Sequence, residues 1–225
     1  MKDLISIGLP SKGRLKNKAI SFFSDRGHKI VQSDKERNYF GTIENEPNIK
    51  IIFLHAKEII QRLGDGTLDI GVSGLDLLKE SDKNLQNKIN VQKKLDFGNA
   101  NLVVAVPNDW IDVQTIADIE EVSFDIRSKR NSRLRVATKY PNLTNEFLIS
   151  KGVTQYKLIP SLGATETYPF IGSSEIITDI TSTGKTLADN SLRVLKDGLI
   201  LSSNACLFIA KKKATKLQPF LKSFG

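Results

Sequence analysis

Ile49-Lys50-Ile51-Ile52-Phe53-Leu54 is an apolar run broken by a single lysine, and the residues after it change period. Ala56 to Leu63 reads as a helix ending at Gly64-Asp65-Gly66, and Leu68-Asp69-Ile70-Gly71-Val72 as another apolar strand. Strands that are apolar throughout, rather than alternating, are covered on both faces. With a helix between them they define a βαβ unit in a parallel sheet. The same grammar extends outward. Leu4 to Leu9 is a strand, and Leu15, Ala19, Ile20, Phe22 and Phe23 recur at helical spacing up to the stop at Gly27. Leu102 to Val106 is a further strand closed by Pro107.

The pattern then begins again. Thr115 to Ile119 suggests a short helix, Leu134 to Thr138 a strand, and Thr144 to Ser150 a helix stopped by Gly152. Tyr156 to Ile159 is a strand, Ala164 to Phe170 a short helix, Glu175 to Ile180 a strand, and Leu199 to Ala210 a long strand. Two series of similar size imply two α/β lobes, without an internal repeat or a low-complexity tract.

Composition narrows the function classes. The 225 residues carry 33 Lys and Arg against 25 Asp and Glu, a net charge of +8, which favours polyanionic partners. Nucleic-acid binders interleave basic runs with aromatics, whereas phosphate enzymes set single cations beside Gly, Ser and Thr loops. The one dense run, Lys211-Lys212-Lys213, reads as a solvated face, so neither nucleic acid nor membrane is expected as a partner. No stretch approaches the roughly 20 apolar residues of a membrane span, and the apolar start is too short for a signal-peptide core. A lone cysteine, Cys206, rules out an internal disulfide; the expected location is cytoplasmic. Cys206 on an apolar strand reads as core, Trp110 as packing, and His55 as a satisfied strand-end histidine.

The most informative segment is Asp179-Ile180-Thr181-Ser182-Thr183-Gly184-Lys185-Thr186-Leu187, a loop of hydroxyls and glycine directly after a strand. Backbone amides and hydroxyls in such a turn make a cradle for a phosphate monoester. Gly184-Lys185-Thr186 is not a Walker A loop, because that motif needs a glycine where Asp179 stands. Glu175 and Asp179 share one strand face by spacing. They are candidates to accept hydrogen bonds from a ribose or to stabilise a cationic anomeric carbon. Ser11-Lys12-Gly13-Arg14, between strand and helix, offers two cations to a pyrophosphate. Ser73-Gly74-Leu75-Asp76 and Ser161-Leu162-Gly163-Ala164-Thr165-Glu166 are two further turns where backbone can approach a ligand.

Taken with Asp96-Phe97-Gly98, Val103 to Pro107 and Arg135 to Asn142, the order and spacing of these segments resemble the short-form ATP phosphoribosyltransferases. The resemblance implies a type II periplasmic-binding-protein-like α/β fold with mixed, largely parallel sheets and an interlobe cleft. It implies lobe one over 1–104 plus 189–225 and lobe two over 105–188. The implied reaction joins N1 of ATP to C1 of 5-phosphoribosyl 1-pyrophosphate with Mg2+ carried on the pyrophosphate, the first step of histidine biosynthesis. Ser182, Thr183, Gly184, Lys185 and Thr186 would hold the 5-phosphate, and Asp179 and Glu175 would act at the ribose. Lys12, Gly13 and Arg14 would meet polyphosphate, while Ser73, Gly74, Asp76 and Glu166 would line the cleft. A length of 225 residues leads to the expectation of the short form, without the histidine-binding domain that the long form appends. A homodimer within a hetero-oligomer is therefore expected, with a regulatory subunit resembling histidyl-tRNA synthetase. The rival readings are a two-lobed solute-binding protein and a phosphoribosyltransferase with another acceptor.

Overall fold

The computed structural model describes residues 4–32 and 39–224. Its first part holds β1 (Ile5–Pro10), α1 (Gly13–Ser24), β2 (Ile30–Gln32), β3 (Phe40–Ile43), β4 (Glu46–Leu54) and α2 (Ala56–Asp65). β5 (Ile70–Gly74), α3 (Leu75–Glu80), α4 (Lys83–Gln86) and β6 (Ile89–Lys94) follow. Next come β7 (Ala100–Pro107), α5 (Ile116–Arg130), β8 (Leu134–Thr138), α6 (Pro141–Ser150), β9 (Tyr156–Pro160) and β10 (Ile176–Thr181). The chain closes with α7 (Lys185–Asp189), β11 (Leu192–Ser203), β12 (Ala205–Ala210) and α8 (Ala214–Leu221). Two compact units result, Met1–Gly98 with Asn204–Gly225, and Asn99–Ser203.

The first unit is a sheet in the order β2-β3-β4-β1-β5-β12-β6. Its centre is parallel: Ile7 of β1 faces Ile51 of β4 on one side and Ile70 of β5 on the other. One face buries Ile7, Leu9, Ile51 and Phe53 with Phe23 of α1 and Leu217 and Leu221 of α8. The other buries Ile59, Ile60 and Leu63 of α2 with Leu68 and Phe208. Gly71 is required for this packing, since a Cβ there would lie 2.5 Å from Ile59 Cγ2. Buried Asp69 ties the returning chain down. Its Oδ1 lies 3.0 Å from Lys213 Nζ, while Oδ2 accepts from the Ser6 amide and hydroxyl. Lys213 thus belongs to an ion pair rather than to a wholly solvated face.

The second unit is a sheet in the order β11-β7-β10-β8-β9, parallel among β10, β8 and β9 and antiparallel elsewhere. Val104, Val136 and Ile176 pack under Ile119 of α5 and Leu148 of α6, and Val103, Ala137 and Ile177 under Leu187 of α7. The parallel pairing expected from the apolar strands therefore forms the centre of the first sheet and one side of the second, out to its β9 edge.

Several boundaries differ from the sequence reading. The lobes were expected to divide at 104/105 and 188/189. β7 instead pairs along its length with β10 and β11, which keeps 99–203 together. The expected strand 199–210 is two strands that pair into different sheets. β11 starts earlier, and its register shifts between Val194 and Leu199. In that irregular stretch Asp197 Oδ1 accepts the Ile116 amide at the start of α5. α5 itself runs on to Arg130 from a capping box of Thr115 and Asp118. The expected helix 164–170 is a single 3-10 turn, Thr165–Thr167.

Candidate active site

Parallel strands bring their carboxyl ends to one edge of a sheet, where open α/β folds bind ligands. In the second unit β8, β9 and β10 deliver Thr138, Pro160 and Thr181 to one such edge. Beyond these ends lie Lys139, the turn from Ser161 to Thr167, and the loop Ser182–Thr186. Thr181 Oγ1 accepts the Gly184 amide at 2.8 Å and Thr183 Oγ1 the Lys185 amide at 3.3 Å, folding the loop into a tight turn. Gly184 has φ 75° with open space where a Cβ would be, so backbone conformation, not crowding, demands glycine. Ser182, Thr183, Lys185 and Thr186 are exposed along this turn.

Asp179 lies two residues before the end of β10, partly buried, with Oδ1 accepting the Ile180 amide at 2.9 Å. Burial pushes its carboxyl above the ordinary aspartate value. The Ile180 N–H and the Lys139 cation oppose that rise, and the Glu166 carboxylate adds to it. Asp179 is thus the focus of one charged cluster with Lys139 and Glu166. Lys139 is a member that the sequence reading did not single out, although it is the first residue past a strand end at this edge.

Glu175 is not part of that cluster. It precedes β10 at the opposite end from the loop, and four residues of strand span roughly 13 Å. Its carboxylate takes the Arg135 amide at 2.7 Å and the Arg135 guanidinium at 2.6 Å through Nη2. Shared-face spacing placed the two acids together; strand length and a partner 40 residues away separate them.

In the first unit β4, β1 and β5 end together at Leu54, Pro10 and Gly74. Lys12, Gly13 and Arg14 are exposed at the entry to α1, and Gly13 adopts φ 74°. Asp76 is buried in the first turn of α3, folded back so far that a Cβ on Gly74 would meet its Oδ1. Ser73 presents nothing to a ligand, because it is fully buried and its hydroxyl donates to the Ala56 carbonyl. His55 caps α2, accepting from the Lys57 amide. Trp110 packs beside the core of the second unit, and Cys206 is buried in the core of the first, its thiol pushed up to about 11 by burial. Among the described residues no three His, Cys, Asp or Glu side chains form a group that could hold a metal ion. No helix among them is long and apolar enough to cross a membrane.

Solved structures share this architecture. The ATP phosphoribosyl transferase (HisG:HisZ) complex from Thermotoga maritima aligns at TM-score 0.75 and 24% identity over 98% of this chain and 96% of that one. The probable amino-acid ABC transporter extracellular-binding protein ytmK from Bacillus subtilis aligns at TM-score 0.56 and 13% identity over 99% and 91%. The class is therefore an α/β fold of the type II periplasmic-binding-protein kind. Residues 55–224 match the family described as HisG: ATP phosphoribosyltransferase. An ATP phosphoribosyltransferase of Brucella melitensis biotype 2 is 46% identical over 212 residues, 94% of this chain and 92% of that protein. One from Brucella anthropi is 44% identical over 92% and 90%. The chain belongs to the ATP phosphoribosyltransferase family. Its reaction joins N1 of ATP to C1 of 5-phosphoribosyl 1-pyrophosphate and releases pyrophosphate, the first step of histidine biosynthesis.

Proposed function

We propose that the carboxyl edge of the second sheet is the phosphoribosyl end of the active site. The loop Ser182, Thr183, Gly184, Lys185 and Thr186 takes the 5-phosphate. The long Lys185 N–H to Thr183 bond at 3.3 Å is one that a phosphate oxygen could replace. Asp179 faces the ribose, where its carboxylate stabilises positive charge at C1 as the C1–O bond to pyrophosphate breaks and the C1–N1 bond forms. Adenine N1 is a weak nucleophile, so this charge stabilisation matters more than a strong base. Lys12, Gly13 and Arg14 are assigned to polyphosphate, with Gly74 and Asp76 on the same edge of the first unit. Glu166 stays with the site as the second carboxylate beside Asp179, and Glu175 leaves it.

The observation that carries this reading is the placement of Asp179 on the same strand as the hydroxyl loop, two residues from the strand's end. Mg2+ enters as part of the substrate, bound to pyrophosphate, where it neutralises the departing charge. The reading also includes a cytoplasmic location and a homodimer within a hetero-oligomer. Its partner is a regulatory subunit resembling histidyl-tRNA synthetase, supported by the likeness in fold to the HisG:HisZ complex. Calorimetric titration with 5-phosphoribosyl 1-pyrophosphate and Mg2+ tests the site. Saturable binding that weakens in Thr183→Val is the expected result, and equal binding by both proteins overturns the loop assignment.

A further inference from the structure

Beneath Asp179 lies a closed ring of three buried hydroxyls. Thr178 Oγ1 donates to Thr138 Oγ1 at 2.6 Å, Thr144 and Thr178 are joined at 2.7 Å, and Thr138 and Thr144 at 3.1 Å. Thr138 Oγ1 also accepts the Tyr140 amide at 2.9 Å. A threonine hydroxyl has two lone pairs and one proton. Both lone pairs of Thr138 are therefore occupied, by Thr178 and Tyr140, and its proton goes to Thr144. Thr144 must then donate to Thr178. The ring has one direction, and every member both gives and receives.

Its place in the fold gives the ring a consequence. Thr138 and Thr178 are register partners on neighbouring parallel strands, and the residues after them are Lys139 and Asp179. Successive strand residues point to opposite faces, so Thr178 turns inward under α6 while Asp179 leaves on the other side. The Thr138 carbonyl accepts the Ser161 amide at 2.9 Å. The Ser161 hydroxyl meets that of buried Thr165 at 2.8 Å, and Thr165 directly precedes Glu166. Each charged residue of the cluster thus follows a buried threonine in one connected network.

Packing alone does not call for hydroxyls here. Valine has nearly the same shape, and apolar partners replacing a hydrogen-bonded set can be close to neutral in stability. What a closed polar network adds is a unique arrangement of the elements it joins. We infer that the Thr138–Thr144–Thr178 ring is a positioning device that fixes the bearing of Asp179 against Lys139 at the edge of the second sheet. The inference rests on the reading of Asp179 as the group facing C1.

Thr144 is the residue to test, because it lies on α6 and is a chain neighbour of neither charge. Thr144→Val removes one hydroxyl and keeps the shape; Thr144→Ser keeps the hydroxyl. In the full chain as purified from cells, kcat of Thr144→Val should fall about ten- to a hundred-fold, the scale of a misplaced group acting from outside the chemistry. KM for ATP should stay unchanged, and Thr144→Ser should recover most of the loss. Should Thr144→Val fold poorly, Thr144→Val/Thr178→Val removes the lone pair orphaned on Thr178, keeps the acceptor for Tyr140 and leaves only the Thr138 proton unpaired. Stability should then return toward the parent while kcat stays low. Recovery of both together, or a Thr144→Val enzyme with parental kcat, overturns the positioning role. Asp179→Asn, assayed alongside, separates the two levels. If it is inactive while Thr144→Val is fully active, only the ring inference falls; if Asp179→Asn is itself fully active, the reading beneath it falls too.

Discussion

Glu175 holds Arg135 by both its ends, with Oε2 accepting the backbone amide at 2.7 Å and Oε1 the guanidinium at 2.6 Å. The carboxylate thereby joins the segment before β10 to β8, and Arg135 also donates to the Gly172 carbonyl at 2.8 Å. This is a staple across parallel strands. Glu175→Gln should cost about 1 kcal/mol, less than a buried charge-assisted bond because Arg135 is partly in water. It should lower the midpoint of thermal unfolding by about 2–4 °C for a chain of this size. Turnover at a temperature where the variant is folded should match the parent. A collapse of kcat with unfolding unchanged would return Glu175 to the site.

Asp179 is in the opposite situation, held where its charge is poorly solvated. Burial raises its folded-state pKa above the unfolded value, so ionising it costs folding free energy. The sign follows: the favourable contribution is whole below the unfolded pKa and is lost as pH rises through the folded one. Above that window the ionised carboxylate weighs against folding. Asp179→Asn should therefore unfold at a higher temperature than the parent at pH 7, and the gain should vanish toward pH 3. Turnover should fall about 10²- to 10³-fold, as when a transition-state charge partner is removed. The parent's kcat/KM should also decline on its acid side above the ordinary aspartate range, since the ionised form is the working one. A variant neither stabilised nor inactive would refute both halves.

Much of this could be read from residues alone, and the failures have physical causes. Ile49–Leu54 and Leu68–Val72 announce central parallel strands because burial on both faces removes polar alternation. The loop after Asp179 is legible as a tight turn because glycine among hydroxyls directly after an apolar run ends the strand. α5 was foreshortened because Glu120, Glu121, Asp125 and Arg127 crowd its sequence, and only Ile116, Ile119 and Ser123 are buried. Spacing set Glu175 beside Asp179, but it carries no information about Arg135, which folding brings in from 40 positions away. Thr144 is silent for the same reason. A threonine in the first turns of a helix looks like any other until two strands place hydroxyls against it.

Cys206 offers a check on the core of the first unit. It is fully buried between β5 and β6, and burial pushes its thiol up to about 11. A thiolate is the reactive form, so at pH 8 a disulfide-exchange reagent should modify it only through opening of the fold. The labelling rate should rise steeply with denaturant. Cys206→Ala should cost about 1 kcal/mol of stability and leave kcat intact. Rapid labelling of the native protein would contradict its burial.

Gly184 gives the sharpest test of the phosphate loop, because the reason for glycine there is purely conformational. With φ at 75° and nothing near the absent Cβ, alanine would fit in space but must hold a left-handed backbone, at a cost of about 1–2 kcal/mol. The turn can relax by releasing the Gly184 N–H from Thr181 Oγ1, which spoils the cradle before it touches the core. Gly184→Ala should therefore raise KM for 5-phosphoribosyl 1-pyrophosphate about ten-fold, the equivalent of roughly 1.4 kcal/mol, and leave KM for ATP near its parental value. Thr183→Val should act in the same direction with φ undisturbed, separating loss of the hydroxyl from strain. Equal effects on both substrates would mean that the loop shapes the enzyme generally rather than gripping one phosphate.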